Sequence, residues 1–307
     1  MKNSNSRPIL VTGSHRSGST WAGKMLSLSS MIGYINEPFN MIHRPGICKA
    51  KFDYWFPYIC AKNEQNYIND IRNCINFKYN GAEELKISRS IRDLGRLARD
   101  YYRFAKYRRQ HRRPLIKDPI AVFSASWLAD RFDMDVVILI RHPAAFAGSI
   151  KSMNMRHPFD HFLRQNLLME HYLNKYRPEI EDFTKSEKDA IDQSILLWNL
   201  IHHMILMYRQ DHPEWFFVKH ETLSRNPVEE FGKLYDKLGI NFTDQLKRKI
   251  MQFTNAVPAQ NNPKSLERDS KSNISTWQKR LTKDEIARVK AGTVDIAREF
   301  YGDGDWI

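Results

Sequence analysis

Cysteine is scarce: Cys48, Cys60 and Cys74 are the only three in 307 residues. Their odd number and spacing fit neither a zinc site nor a CxxC redox pair, so they read as free thiols in a reducing compartment. Long apolar runs are missing as well. The best stretches, "VVILI" at 136–140 and the interrupted "SILLWNLIHHMILMY" at 194–208, are too short or too polar to cross a bilayer. The polar opening "MKNSNSRP" has no apolar region of the signal-peptide kind, so a soluble, cytoplasmic protein is expected. No repeat, low-complexity tract or Gly/Ser linker divides the chain, and one domain over 1–307 follows as the expectation. Negative charge is also short: 35 acids against 48 Lys and Arg leave a net charge of +13. That surplus implies an anionic partner, whether nucleic acid, anionic membrane face, nucleotide or acidic glycan, without choosing among them.

What the chain does have is alternation. Five short apolar or β-branched runs, at 8–12, 32–36, 114–117, 136–140 and 216–220, are each followed by a turn and a helix-like segment. Helical patterns fall near 19–29, 64–76, 89–110, 120–131, 144–153, 186–210, 227–238 and 282–299. Parallel strands need long crossover connections and are buried on both faces, so this pattern predicts an α/β fold with a central parallel sheet flanked by helices. The gap from 37 to 113 is too long for a simple connection and predicts a helical insertion or substrate region over roughly 40–113. Polar residues gather just past the strand ends, as "GSHRSGST", "NEPFN", "KDP", "RHP" and "HET". Open α/β sheets bind ligands there.

"GSHRSGST", 13–20, has the spacing G-x-x-x-x-G-x-[ST] of a phosphate-cradling loop between a strand and a helix, but Ser19 stands where the lysine of ATP and GTP enzymes belongs. Such a loop aims backbone N–H groups and a helix N-terminus at an anion. Ser17, Ser19 and Thr20 add hydroxyls, and Arg16 adds a permanent charge. A second anchor for a phosphate is Arg141, at a strand end, with Ser149 eight residues on in the next helix.

Together "RSGST" and "RHPAAFAGS" resemble the sulfotransferases that use 3′-phosphoadenosine 5′-phosphosulfate (PAPS) and release 3′-phosphoadenosine 5′-phosphate (PAP). The resemblance touches most of the chain and implies a P-loop-like nucleotide-binding fold. In its terms Arg16, Ser17, Gly18, Ser19 and Thr20 hold the 5′-phosphosulfate, with Arg16 doing the catalytic duty of the missing lysine. Arg141 and Ser149 hold the 3′-phosphate. Arg280, in "NISTWQKRL", is a further contact, with Lys271 and Lys279 closing over the same phosphate and Trp277 either near the adenine or in the core. No metal is implied, because arginine and lysine neutralise charge where kinases use magnesium.

Sulfuryl transfer also needs a group to take the acceptor's proton, and Glu37 in "NEPF" is the expected base, with His15 as its rival. Glu-Pro at this position is similar to carbohydrate and bacterial sulfotransferases, which implies a glycan or lipid-linked glycan acceptor. Lys117 and Asp118 either steer the acceptor and support the base or form a structural ion pair. Glu221 reads as part of a structural turn, and His202 and His203 as buried helix residues. Segment 89–114 carries ten Lys and Arg against two acids. Arg89, Arg92, Arg96, Arg99 and Arg103 form a cationic stripe opposite Ile91, Leu94 and Leu97, either a solvated face or a dock for an anionic acceptor or an anionic membrane surface. The aromatic "FDYWFPY", 52–58, either stacks on sugar rings or forms the core of the insertion. The alternatives are a P-loop kinase, disfavoured by Ser19, and a non-enzymatic nucleic-acid or polyanion binder, which leaves the strand-end residues unexplained.

Overall fold

The computed structural model describes residues 7–254 and 274–306. Five strands, Ile9–Gly13 (β1), Ile32–Asn36 (β2), Arg113–Lys117 (β3), Asp135–Ile140 (β4) and Phe216–Lys219 (β5), form one sheet. Their order is β2-β3-β1-β4-β5 and every pairing is parallel. β1 is central, with Ile9 opposite Leu115 on one side and Asp135 on the other. Successive side chains leave a strand on opposite faces, and both faces are covered. Ile9, Val11, Val137 and Leu139 pack with Trp21 and Met25 of helix Ser19–Leu26 and with Phe231 of helix Pro227–Lys237. Leu10, Ile116, Val136 and Ile138 pack on the other side with Phe146 of helix Pro143–Ser152 and Trp198 of helix Ala190–Asp211. Two apolar faces are why the strands read as continuous apolar runs rather than alternating ones.

Between β2 and β3 lies the expected insertion, with helices Ile68–Ile75, Gly81–Ile87 and Ile91–Arg109. A buried charge network ties it together. Arg44 donates to Glu84 and, at 2.9 Å, to Asp100, while the second oxygen of Glu84 accepts from the Gly46 N–H at 2.9 Å. Helix Ile91–Arg109 starts at Ser90, whose hydroxyl accepts from the Asp93 N–H at 3.2 Å. Its buried residues are Asp100 and Phe104, and Ile91 and Leu94 lie exposed. The apolar side opposite the arginines is therefore not the side that packs against the protein. Phe52 and Phe56 are core residues: Phe52 stacks on Phe39 and Tyr67, and Phe56 packs on Phe123 and Phe162.

At the other end of the chain, helix Lys283–Ala297 opens with a reciprocal cap between Thr282 and Glu285. Glu285 also accepts from Lys151 at 2.6 Å, fastening this helix to Pro143–Ser152. All three cysteines carry free thiols. Among the described residues no helix is long and apolar enough to cross a membrane.

Candidate active site

β1 ends at Gly13 (φ 140°), where a Cβ would overlap the Leu139 carbonyl oxygen of β4. The chain then turns, with the Ser17 N–H donating to the Ser14 carbonyl at 3.2 Å, and enters helix Ser19–Leu26 through Gly18 in the left-handed region (φ 87°). No side chain caps that helix. Its first-turn N–H groups therefore keep their partial positive charge for a ligand. Within the loop the Ser14 and Ser17 hydroxyls are fully buried, and neither has a hydrogen-bond partner among the described residues. Buried polar atoms are ordinarily satisfied. Orphaned hydroxyls beside an uncapped helix N-terminus form a cradle that suits a phosphate or sulfate. Ser19 is buried and Thr20 exposed on the first turn of the helix.

Arg16, also left-handed (φ 65°), sends its Nε to the Ser149 hydroxyl at 2.8 Å, joining residues 133 positions apart. Arg141 closes the group by donating from Nη1 to the Arg16 carbonyl, while its Nε is buried with no partner among the described residues. Burial lowers the Arg141 pKa to about 10, which leaves it cationic at neutral pH. Arg280 is exposed, and its Cβ lies within 3.5 Å of the position a Cβ on Gly148 would take, next to Ser149. The two sequence motifs and Arg280 thus meet at the ends of β1 and β4. Trp277 is buried and stacks on His142 at 5.4 Å, as part of the packing beneath Arg280. Lys279 is exposed, and Lys271 lies outside the described residues. Glu221 accepts from the His142 N–H at 3.1 Å and from the Tyr301 hydroxyl at 3.0 Å, a structural brace under Arg141.

A second centre lies at the ends of β2 and β3. Glu37 is left-handed (φ 46°), and its N–H donates to the Lys117 carbonyl at 2.8 Å. The Lys117 ammonium, 1% exposed, pairs with Glu37 Oε1, and Asn40 Nδ2 donates to Oε2 at 3.1 Å. Arg16 and Glu37, non-glycine residues held at positive φ just past β1 and β2, mark conformations that persist only when the surroundings fix them. Asp118 points the other way: it is buried, and it accepts from the Phe39 N–H at 2.6 Å and the Ile120 N–H at 3.1 Å. Burial raises its pKa to about 7. So Lys117 and Asp118 do not pair with each other. One faces Glu37, and the other holds the loop that carries it.

Sequence reasoning missed two residues. Lys24 sits four positions past Thr20 on the same helix face, with its Nζ 4.1 Å from the Tyr34 ring. Burial, then the charges of Arg103 and Lys117, lower its pKa. The i, i+4 step from the loop was the available signal. His220, the first residue after β5, packs against Gly18, where a Cβ would strike its ring, and lies 5.9 Å from Trp21. His15, the rival base, lines a cavity of about 170 Å³ with Phe56, Ile120, Ile150 and His157. Burial, and secondarily Arg16, lower its pKa to about 4. His202 is buried against Trp198 at 3.8 Å, with its Nδ1 on the Trp198 carbonyl, as the sequence suggested.

The chain is similar to known proteins in sequence profile and in fold. The profile of the Sulfotransferase family matches residues 8–244. No curated protein matches the chain in sequence. Among solved structures, the sulfotransferase domain from the curacin biosynthetic pathway is 15% identical with a TM-score of 0.52, over 95% of this chain and 96% of that one. The sulfotransferase domain of the Synechococcus PCC 7002 olefin synthase is 17% identical with a TM-score of 0.48, over 99% and 98%. A mouse sulfotransferase complexed with PAP is 11% identical with a TM-score of 0.45, over 96% and 85%. The family profile spans "RSGST", "RHPAAFAGS", the Glu37 turn and β5, and the chain belongs to the sulfotransferase family.

Proposed function

We propose that the protein transfers the sulfuryl group of PAPS to a hydroxyl, with the 5′-phosphosulfate on the loop Arg16–Thr20, the 3′-phosphate at Arg141, Ser149 and Arg280, and Glu37 as base. One observation carries this reading: Arg16 bonds Ser149 directly and Arg141 bonds Arg16, so cations for two separate phosphates adjoin a cradle of orphaned hydroxyls. The nucleotide supplies the sulfuryl group. As the acceptor oxygen bonds to sulfur, the bond from sulfur to the 5′-phosphate oxygen breaks, and the acceptor's proton passes to the Glu37 carboxylate. Arg16 and the helix N-terminus balance the charge left on the phosphate. Lys117 keeps Glu37 turned toward this edge of the sheet, and Asn40 fixes its second oxygen. His15 is a poor base beside it, since burial leaves its ring neutral and weakly basic at neutral pH. A kinase reading loses further ground because both oxygens of Asp118, the acid ending the strand next to β1, are taken by backbone N–H groups.

A carbohydrate or lipid-linked glycan is the acceptor we favour. Support comes from Glu37-Pro38 and from the half-buried Trp55 in the wall of the cavity beside His15, whose apolar lining suits the CH faces of a sugar or an alkyl portion. The test of the donor site needs no acceptor. In EDTA, PAP should raise the melting temperature, and ADP, with as many phosphates but none on the 3′ side, should do markedly less. A ligand at a hundredfold excess over Kd stabilises the folded state by about 2.7 kcal/mol. Arg141→Ala should erase most of the difference, because it removes a charge-assisted contact to the one phosphate that distinguishes the ligands. A magnesium-dependent preference for ATP would instead favour the kinase, and a response to long polyanions alone would favour the nucleic-acid binder.

A further inference from the structure

Helix Ile91–Arg109 buries an unusual face. At about 100° per residue, Asp100 and Phe104 fall on the side that packs against the protein. Arg92, Arg96 and Arg99 fall on a second side, and Ile91, Leu94, Tyr101 and Tyr102 on a third. The third side stays in solvent: Ile91 is 88% exposed, Tyr102 66% and Leu94 47%. The preceding helix adds exposed Leu85 and Ile87, and the loop after Glu37 adds Ile42, 82% exposed. Arg44, two residues beyond Ile42, fastens that loop to Glu84 and to Asp100 on the buried side of the helix, so loop and helix form one unit of the insertion.

We infer that this face docks on an anionic membrane surface, with the isoleucine, leucine and tyrosine side chains entering the headgroup region and the arginines meeting lipid phosphates. Three features favour a bilayer over a protein partner. The apolar side chains protrude singly, and a fluid interface accepts each without a matching pocket. They run beside a basic row, the pattern of helices that lie in the plane of a membrane. The row also has charge left for an outside anion: Arg96 and Arg99 reach Asp93 and Asp100, but Arg89, Arg92, Arg108 and Arg109 make no ion pair among the described residues. Because Arg44 ties the loop that begins at Glu37 to this helix, docking would bring the proposed base toward the membrane surface. This use, presenting a membrane-borne acceptor to the base, rests on the transfer reading above. The docking itself does not.

The experiment is cosedimentation of the full chain with vesicles of phosphatidylcholine alone and of phosphatidylcholine with about one-third phosphatidylglycerol. Binding should be at least about tenfold tighter to the anionic vesicles. The double change Ile91→Asp, Leu94→Asp should weaken it by about tenfold or more. Arg89→Gln with Arg92→Gln should reduce the preference for phosphatidylglycerol. Circular dichroism and stabilisation by PAP should be unchanged in all variants, since none of these residues touches the donor site. Absence of binding to anionic vesicles at low salt would overturn the inference. So would unchanged binding by the Asp variant, which would mean charge alone acts, or its conversion of an oligomer to a monomer, which would mean a second copy covers the face. If PAP fails to stabilise the parent chain while vesicles bind, the transfer reading falls and the docking stands; the reverse outcome spares the transferase.

Discussion

Replacing Glu37 by glutamine removes the proposed proton acceptor and also leaves the Lys117 ammonium, 1% exposed, without its counter-charge. The two effects are separable. Loss of the base should lower kcat by about two to four orders of magnitude with little change in PAP affinity, and near-normal turnover would return the role to His15. Loss of the counter-charge is a stability effect. Breaking a buried pair from one side costs about 3 to 5 kcal/mol, whereas removing both charges costs much less. Glu37 is partly exposed, so the lower end applies. In urea titrations Glu37→Gln and Lys117→Met should each destabilise the protein, and the double variant should be more stable than the sum of the single losses predicts. If Glu37 is the base, turnover should not recover, because the double variant still lacks its carboxylate. Additive stabilities would mean that the pair does not couple in solution.

At the scale of elements, the strand, loop and helix around Gly18 act as one unit. Gly18 is left-handed, and its missing Cβ makes room for the His220 ring at the end of β5. Gly18→Ala should therefore cost more than about 1 kcal/mol and should weaken PAP binding as well, because the loop and the helix N-terminus shift together. A loss of stability with unchanged PAP binding would separate the turn from the cradle. This unit was readable from sequence because strand, turn and helix fix each other's spacing: "GSHRSGST" places Gly13 at the strand end and Gly18 at the helix start. The five strands were readable for a related reason, since burial on both faces writes them as unbroken apolar runs. The insertion and its helices at Ile68–Ile75 and Ile91–Arg109 were legible as well, but the helix between them was not. That helix, Gly81–Ile87, is short and is held by Glu84 reaching Arg44, forty residues away, a contact no local pattern announces. Helix Ile91–Arg109 shows why periodicity gives a face but not its destination: it turns Asp100 inward to Arg44 and leaves Ile91 outside. Likewise "KD" at 117–118 could not reveal that adjacent residues diverge, one to Glu37 and the other to the Phe39 N–H.

The whole molecule carries a surplus of positive charge and yet keeps several imidazoles neutral in its interior. Burial lowers the pKa of His15 and His142 to about 4 and that of His202 to about 3, and holds His157 well below 6.5. Above pH 6.5 these groups are neutral in both folded and unfolded chains, and their contribution to stability is fully present. As pH falls from 6.5 toward 4 the unfolded chain takes up protons that the folded one refuses. Each such histidine then removes up to about 1.4 kcal/mol of stability per pH unit. Asp118 works in the opposite sense. Its pKa is raised from 3.8 to about 7, so between those values the folded state holds a proton that the unfolded chain has lost, and acidification favours folding through this one group. Four histidines against one aspartate leave a net loss. Denaturant midpoints should accordingly drop steadily from pH 7 to pH 5, well before the surface carboxylates protonate. His202→Phe keeps an aromatic ring between Trp198 and Phe300 while removing one titrating group, and it should flatten the slope by about one proton's worth. A midpoint that stays level across this range would show that these rings reach solvent and protonate in the folded protein. The apolar walls around His15 and His157 would then have to open to water.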